Sequence, residues 1–172
     1  RGLEIPIKHC SNSAGIIDLP QANLNCVRAG ITMYGMYPSE EVQKDKVPLK
    51  PALGLKSFVT YVKELGPGEE ISYGGTYVTE RTMRIATVAV GYGDGYPRSL
   101  SNCGYVLICG KRARILGRVC MDQLMVDVTD IMEADVDTPV TLIGKDGDEE
   151  ITMEHLAELC GGFHYEMVCD IG

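Results

Sequence analysis

The chain of 172 residues is long enough for one ordinary domain with a hydrophobic core, and its 45% apolar and 23% charged residues are typical of a globular, soluble protein. The formal net charge of −8 argues against binding to nucleic acid or to an anionic membrane, because both need a basic protein face. The sequence contains no apolar run near the length of a membrane span, and it does not open with a signal peptide.

The cysteines and histidines favour a reduced cytoplasmic protein without a metal site. The cysteine count of seven is odd and no pair has CxxC spacing, so we expect neither a disulfide framework nor a zinc site. His9, His155 and His164 are scattered, as packing or surface histidines are. Because the sequence starts at Arg1 instead of Met and stops abruptly, we expect it to be part of a longer protein.

The first third of the chain has the pattern of a βαβ unit. Residues 3–8 and 27–34 are apolar and predict two strands, and a short helix between them could begin near Asp18 or Pro20. Residues 38–51 are charged and hold three prolines, which predicts a linker. We therefore divide the chain into residues 1–37, a linker at 38–51 and a second domain at 52–172.

The second domain has the pattern of a mainly β fold. β-Branched and aromatic residues mark seven runs separated by turn signals, at 58–65, 71–79, 83–90, 105–109, 112–116, 123–128 and 139–143. Short strands at this spacing predict a sandwich or barrel. One helix is expected at residues 153–160, where Thr152 can cap its start and Gly161 can end it.

Small polar residues follow both predicted strands of the first domain. Ser11, Asn12 and Ser13 come after the first strand, and Arg28 and Gly30 lie within the second. Serine hydroxyl and backbone N–H groups suit an anion, and a helix N-terminus adds a favourable dipole. In (β/α)8 barrels the loops after the seventh and eighth strands often bind phosphate. The first segment alone also fits an ordinary turn, and Arg28 alone fits a surface ion pair.

Five segments together resemble one enzyme family. In chain order they are HCSNSAG at 9–15, VRAGI at 27–31, ISYGGTY at 71–77, GYGDGYPR at 91–98 and GRVCMDQ at 117–123. This series resembles the C-terminal half of a bacterial alanine racemase, from about residue 6 to residue 169. By itself, the last segment would be interpreted as a turn with a local Arg–Asp pair. The resemblance implies a remnant of a (β/α)8 barrel, its last two strands, followed by the family's C-terminal β domain.

The resemblance also implies a pyridoxal 5'-phosphate site. The residues matched to the cofactor phosphate are Asn12, Ser13, the N–H groups of Gly30 and Ile31, and Tyr165. Arg28 would face the pyridine nitrogen, where most enzymes that use this cofactor place a carboxylate. A permanently charged arginine disfavours a proton on that nitrogen, which suits a racemase that must avoid transamination.

Racemisation needs one acid or base on each face of the α-carbon. By resemblance Tyr73 serves one face and a lysine the other, although a strand tyrosine is more often structural. Met121 would donate its backbone N–H to the substrate carboxylate, and Tyr92, Arg98 and Arg118 would line the access corridor. The cofactor-bearing lysine should lie on an early barrel strand before residue 9. No lysine of this chain is at a matching position.

These matches predict part of an enzyme that interconverts L- and D-alanine for peptidoglycan precursors. The chain alone should be inactive, and the full-length enzyme should be a head-to-tail homodimer in which Tyr73 and the substrate-binding residues act on the partner's cofactor. A serine racemase of the same family and a non-catalytic dimerisation or binding module are the alternatives. The bulky Tyr165 favours alanine, since it leaves little room for a hydroxymethyl group.

Overall fold

A computed structural model describes residues 2–171 of the chain. The chain separates into two compact units, residues 1–53 and residues 54–172. Of the helices in the described part, none is both long enough and apolar enough to span a bilayer.

The first unit contains one short helix and three 3-10 turns. Helix α1 spans Ser13–Asp18, and the 3-10 turns span Pro20–Ala22, Ile31–Tyr34 and Lys44–Lys46. The prediction that a helix begins near Asp18 or Pro20 is wrong for α1, which ends at Asp18. It begins after Asn12, whose Oδ1 accepts the Gly15 N–H at 3.1 Å. This bond satisfies one of the first-turn donors that have no partner within a helix.

The two strands predicted for the first unit are absent. Residues 3–8 and 27–30 form no strand among the described residues, and Ile31–Tyr34 is a 3-10 turn. Strands of a parallel barrel are covered on both faces, but these two segments are largely exposed in the single chain. Side chains along them are exposed, namely Leu3 at 85%, Ile5 at 60%, Ile7 at 65%, Val27 at 40% and Met33 at 74%. Parallel strands need a hydrogen-bonded neighbour in the sheet and a covered face, and this unit supplies neither to these segments.

The second unit is mainly β, as the sequence predicted. Its strands and helices are β1 (Leu55–Leu65), β2 (Glu70–Ile71), β3 (Tyr77–Val78), β4 (Met83–Val88), β5 (Tyr105–Ile108), β6 (Lys111–Leu116), β7 (Leu124–Asp127), β8 (Pro139–Asp146), β9 (Glu149–Ile151), α2 (Met153–Cys160) and α3 (His164–Asp170). The main sheet runs β1-β4-β7-β6-β5-β8-β9 and all its described pairings are antiparallel.

Strand β1 closes this sheet into a barrel. Its first residues, from Leu55 to Phe58, pair with β8, and its later residues, from Val59 to Leu65, pair with β4. One long strand therefore joins both ends of a six-strand ring, with β9 added outside on β8. Closure removes the open edges on which other strands could pair.

Apolar side chains from every side of the ring fill the barrel. Those with no exposed surface include Val59, Val88, Val106, Ala113, Ile115, Val126 and Leu142. A second cluster joins Ile71, at the end of β2, to Met83, Ile85 and Leu116. This cluster connects the barrel to the segment that follows β2.

Three elements differ from the sequence prediction. The strand predicted at 71–79 is interrupted, because Ser72, Gly74 and Gly75 have φ of +66°, +74° and +53°, which a strand cannot accommodate. A 3-10 turn, Tyr73–Gly75, therefore separates β2 from β3. Strand β9 and helix α3 were not predicted, since neither is long enough to show a clear period. Helix α2 is confirmed, with its start capped by the Thr152 hydroxyl, which accepts the His155 N–H at 3.1 Å.

The second cluster predicts that truncating Met83 destabilises the protein far more than truncating the exposed Met132. Met83 is 3% exposed, whereas Met132 is 73% exposed. We expect Met83→Ala to lower the free energy of unfolding by about 2–5 kcal/mol through lost burial and a residual cavity, and Met132→Ala to change it by less than about 0.5 kcal/mol. Urea titration of both variants measures the difference, and equal midpoints would contradict this account of the core.

Candidate active site

Tyr73 projects from the turn between β2 and β3. Its side chain is 72% exposed, and no hydrogen bond to its hydroxyl is found within residues 2–171. The turn depends on glycine, because both Gly74 and Gly75 have positive φ. Packing of the ring does not hold Tyr73 in place, so its position is set by the backbone of the turn.

The segment after β6 packs directly against this turn. Gly117 has φ of +74°, and a Cβ there would lie 2.5 Å from the Ile71 carbonyl oxygen. The Ser72 hydroxyl donates to the Arg118 carbonyl oxygen at 2.7 Å. A Cβ built on Gly74 would lie 3.6 Å from Arg118 Nη1. The Arg118 guanidinium therefore lies beside the residue that follows Tyr73.

A third loop is joined to the same segment. Tyr92 N–H donates to the Cys120 carbonyl oxygen at 2.9 Å, and Gly93 N–H donates to the Met121 carbonyl oxygen at 2.7 Å. A Cβ on Gly91 would overlap the Cys120 carbonyl oxygen, so this approach excludes any side chain. Met121 N–H has no acceptor in the described part of the chain. That amide is available to an external anion.

The loop that carries Tyr92 and Arg98 is anchored by Tyr96. Tyr96 is 1% exposed, and burial, which disfavours the phenolate, raises the pKa of its hydroxyl. A cavity of about 340 Å³ lies between this loop and the end of α3, with Arg98, Tyr92 and Asp170 among its lining residues. A Cβ on Gly95 would overlap the Asp170 carbonyl oxygen, so α3 packs tightly on the loop.

Tyr165 lies on α3 and is half-buried. Its ring stacks on Phe163 with centroids 4.7 Å apart and an interplanar angle of 11°. Partial burial raises the pKa of its hydroxyl, because the phenolate would be desolvated. The Tyr165 ring is therefore held by a neighbouring side chain, whereas the exposed Tyr73 ring is not.

Four of the five residues matched to a phosphate, Asn12, Ser13, Gly30 and Ile31, lie together in the first unit, whereas Tyr165 lies in the second. The Ser13 hydroxyl is buried and accepts the Gly30 N–H at 3.1 Å, and it lies 3.2 Å from Thr32 Oγ1. Ile31 N–H has no acceptor among the described residues. Within this unit a Cβ on Gly30 would meet only Ser13 Oγ, at 3.9 Å.

Arg28 has a partner that the sequence interpretation missed. Arg28 Nη1 lies 2.7 Å from His9 Nδ1, and because guanidinium only donates, the imidazole nitrogen accepts. The backbone also holds residues 9 and 28 near each other, since the Arg28 N–H donates to the Ser11 carbonyl oxygen at 3.0 Å. Arg28 also lines a cavity of about 430 Å³ beside α1 with Asn12 and Gly15.

The predicted residues thus form two groups, one in each unit. Ser13, Arg28, Gly30 and Ile31 lie together with Asn12 in the first, and Tyr73, Arg118, Met121, Tyr92 and Arg98 lie on connected loops of the second. Thr32, His9 and Ser72 were missed, since serine, threonine and histidine are common in ordinary loops. Within residues 2–171 no three His, Cys, Asp or Glu side chains are grouped to hold a metal ion.

Each of the two units matches a domain of the same protein family. Residues 52–172 match the family model described as alanine racemase, C-terminal domain, and residues 1–38 match alanine racemase, N-terminal domain. The alanine racemase of Methanococcus maripaludis is 50% identical over 168 residues, 98% of this chain and 45% of that protein. That of Halothermothrix orenii is 51% identical over 169 residues, again 98% of this chain and 44% of that protein.

Solved structures give the same result. The alanine racemase of Clostridium difficile 630 in complex with cycloserine superimposes with a TM-score of 0.92 at 44% identity, covering 99% of this chain and 44% of that one. The alanine racemase of Bacillus anthracis with bound L-Ala-P gives a TM-score of 0.93 at 41% identity, again covering 99% of this chain and 44% of that one.

The closed barrel and its connected loops are therefore those of the C-terminal domain of an amino-acid racemase. The chain belongs to the alanine racemase family. It spans about 45% of the length of the curated relatives that it matches.

The importance of the close backbone approach at Gly91 can be tested by substitution, with another glycine as the control. We expect Gly91→Ala to destabilise the protein by about 1–3 kcal/mol, because the new Cβ must push the 120–121 backbone away. Gly66→Ala is the matched control, since a Cβ there meets nothing within 4 Å. Urea unfolding together with hydrogen exchange at Tyr92 and Gly93 measures both effects. Unchanged protection in Gly91→Ala would show that the contact is not needed.

Proposed function

We propose that this chain is the C-terminal part of an alanine racemase that interconverts L- and D-alanine with pyridoxal 5'-phosphate. One observation carries the proposal. Separate hydrogen bonds and glycine contacts join the loops of Tyr73, Arg118 with Met121, and Tyr92 in the β unit. A tyrosine hydroxyl, a guanidinium and a backbone amide without an acceptor are then presented by one set of connected loops.

The residues of the first unit fit the phosphate of the cofactor. The Ser13 hydroxyl and the Ile31 N–H can both donate to a phosphate, and the bond from the Gly30 N–H to Ser13 Oγ brings these two segments together. Asn12 caps α1 next to them, and Arg28 would face the pyridine nitrogen. When bound, the cofactor withdraws electrons from the α-carbon and makes its proton acidic.

The β unit would supply proton transfer and substrate binding. The Tyr73 hydroxyl gives a proton to, or takes one from, one face of the α-carbon. Met121 N–H donates to the substrate carboxylate, and the Arg118 guanidinium adds a positive charge near it. Tyr92 and Arg98 line the route by which alanine reaches these groups.

Two copies would complete each site. Tyr73 is 72% exposed and Met121 is 63% exposed, so their side chains are not occupied by contacts of this chain. In a head-to-tail homodimer they would reach the cofactor held by the partner. A cytoplasmic enzyme of this kind supplies D-alanine for peptidoglycan.

Alanine is favoured over serine by the placement of Tyr165. Its ring is half-buried and stacked on Phe163, so a larger substrate would have to displace this stacked pair. The discrimination would be modest, because one added hydroxyl is rejected only about 10²-fold by a hydrophobic pocket.

Removing the Tyr73 hydroxyl should affect the two substrate enantiomers unequally. In the full-length protein we expect Tyr73→Phe to slow α-proton exchange from L-alanine by on the order of 10²–10⁴, because one positioned acid–base group is lost. Exchange from D-alanine, assigned to the lysine, should fall much less, and cofactor absorbance should be retained. Deuterium incorporation into each enantiomer measures the asymmetry.

Tyr105→Phe is the control for losing a tyrosine hydroxyl, since Tyr105 lies on β5 with its ring against His155 of α2. It should leave both exchange rates unchanged. Equal loss of both rates in Tyr73→Phe, or loss of bound cofactor, would assign Tyr73 a structural role.

The 172-residue chain alone should show no alanine racemisation with added pyridoxal phosphate, because the residues matched here include no lysine to carry the cofactor covalently. Mixing the chain with a lysine-bearing N-terminal half should restore cofactor absorbance and turnover. Turnover by the chain alone would refute this assignment. Absence of cofactor absorbance in the mixture would favour a non-catalytic dimerisation or binding module.

A further inference from the structure

Ser72 has a backbone conformation that its residue type rarely adopts. Its φ is +66° and its ψ is −178°, in a region occupied almost only by glycine. Gly74 and Gly75 have positive φ in the same turn, and both are glycines. A turn that needed only this backbone path would be formed more easily with glycine at position 72 as well. The side chain at 72 therefore requires an explanation of its own.

The Ser72 hydroxyl makes one short contact with the neighbouring loop. Its Oγ donates to the Arg118 carbonyl oxygen at 2.7 Å and lies 3.4 Å from the Cys120 sulfur. The hydroxyl has one proton, which the shorter distance assigns to the carbonyl. The bond joins chain segments 46 residues apart.

This bond lies between the two groups proposed to act on the substrate. Tyr73 follows Ser72 directly, and Met121 follows Arg118 by three residues. Gly117 packs on Ile71 on one side of the bond, and the 120–121 carbonyls accept from Tyr92 and Gly93 on the other. These neighbouring contacts hold the backbone, and the Ser72 hydroxyl adds a direct side-chain hydrogen bond from the Tyr73 turn to Arg118. The Asn102 side chain makes a further link nearby, between Thr76 and Gly117.

We propose that Ser72 is a positioning residue, which fixes the Tyr73 ring relative to the Met121 amide through its hydrogen bond to the Arg118 carbonyl. Tyr73 is largely exposed and has no hydroxyl partner within residues 2–171. Its position is therefore only as well defined as its backbone. A displacement of about 1 Å at a reacting group can reduce a rate by on the order of 10². The catalytic part of this inference rests on the proposed racemase function.

Ser72→Gly separates the hydrogen bond from the backbone strain. Glycine adopts the same φ without penalty, so the turn is retained while the hydroxyl is lost. Ser57→Ala is the matched control, because the Ser57 hydroxyl also donates to a carbonyl, that of Ala89 at 2.8 Å, and lies on β1 away from the turn. Both variants remove one hydroxyl-to-carbonyl bond of similar length.

The first measurement needs no cofactor. In the 172-residue chain with ring-labelled tyrosine, Tyr73→Phe assigns the Tyr73 signal among the nine tyrosines. We expect Ser72→Gly to lower the order parameter of the Tyr73 ring and to speed exchange of the amides at residues 73–76. The other tyrosines should be unchanged, and Ser57→Ala should leave Tyr73 as it is. An unchanged order parameter of the Tyr73 ring in Ser72→Gly would overturn the proposal.

The second measurement uses the full-length protein. We expect Ser72→Gly to reduce kcat about 10–100-fold, with proton exchange from L-alanine falling more than exchange from D-alanine. A purely structural loss would lower both exchange rates together and lower the unfolding midpoint, and that result would also overturn the proposal. If the unsubstituted protein does not racemise alanine, the proposed function fails. The ring measurement then still decides whether Ser72 positions Tyr73.

Discussion

Close approach of carbonyl oxygens to glycine Cα atoms is the constraint on which the loops of the β unit depend. It occurs at Gly117 against Ile71, at Gly91 against Cys120 and at Gly95 against Asp170. No other residue type allows the backbones to approach so closely. The hydrogen bonds that join the loops form only because these approaches are possible. The placement of Tyr73, Met121 and Tyr92 follows from them.

The closed barrel is the rigid support for these contacts. Strand β1 pairs at one end with β8 and at the other with β4. Every strand of the ring therefore has a hydrogen-bonded neighbour on each side. Ile71 and Leu116 are buried in the same apolar cluster. The segments that begin at Ser72 and Gly117 therefore start from fixed points, and a functional group on a rigid element is placed more accurately than one on a free loop.

The first unit shows the opposite case. Its apolar segments at residues 3–7 and 27–33 have no sheet to join, and most of their large side chains are exposed. The Ser13 group nevertheless forms, because Asn12 caps α1 locally and the Ser13 hydroxyl accepts the N–H of Gly30, 17 residues away. Such a group needs only a few side-chain hydrogen bonds, whereas a strand needs a row of backbone bonds to a neighbouring strand.

The sequence was sufficient for the mainly β character and for the end points of α2, and it supplied the candidate residues that the structure places in two groups. These features were predicted from local signals: period-two apolar runs, a capping threonine and Gly161. Such signals predict the same structure wherever the segment lies in the fold. The same signals failed at residues 71–79, where β-branched and aromatic residues surround a serine with positive φ. Strand propensity depends on the side chains of the segment itself. The conformation of this turn is instead imposed by its tertiary contact with Gly117.

Sequence by itself determined which chemical groups this protein carries: the Tyr73 hydroxyl, the Arg118 and Arg28 guanidinium groups, and a serine beside a helix N-terminus. Only the tertiary structure decided which of them lie together. It paired Arg28 with His9, surrounded Ser13 with Gly30 and Thr32, and joined Ser72 to Arg118. The reason is physical, since these contacts connect residues 17 to 46 positions apart, and closure of the fold, not local preference, brings such residues within hydrogen-bonding distance.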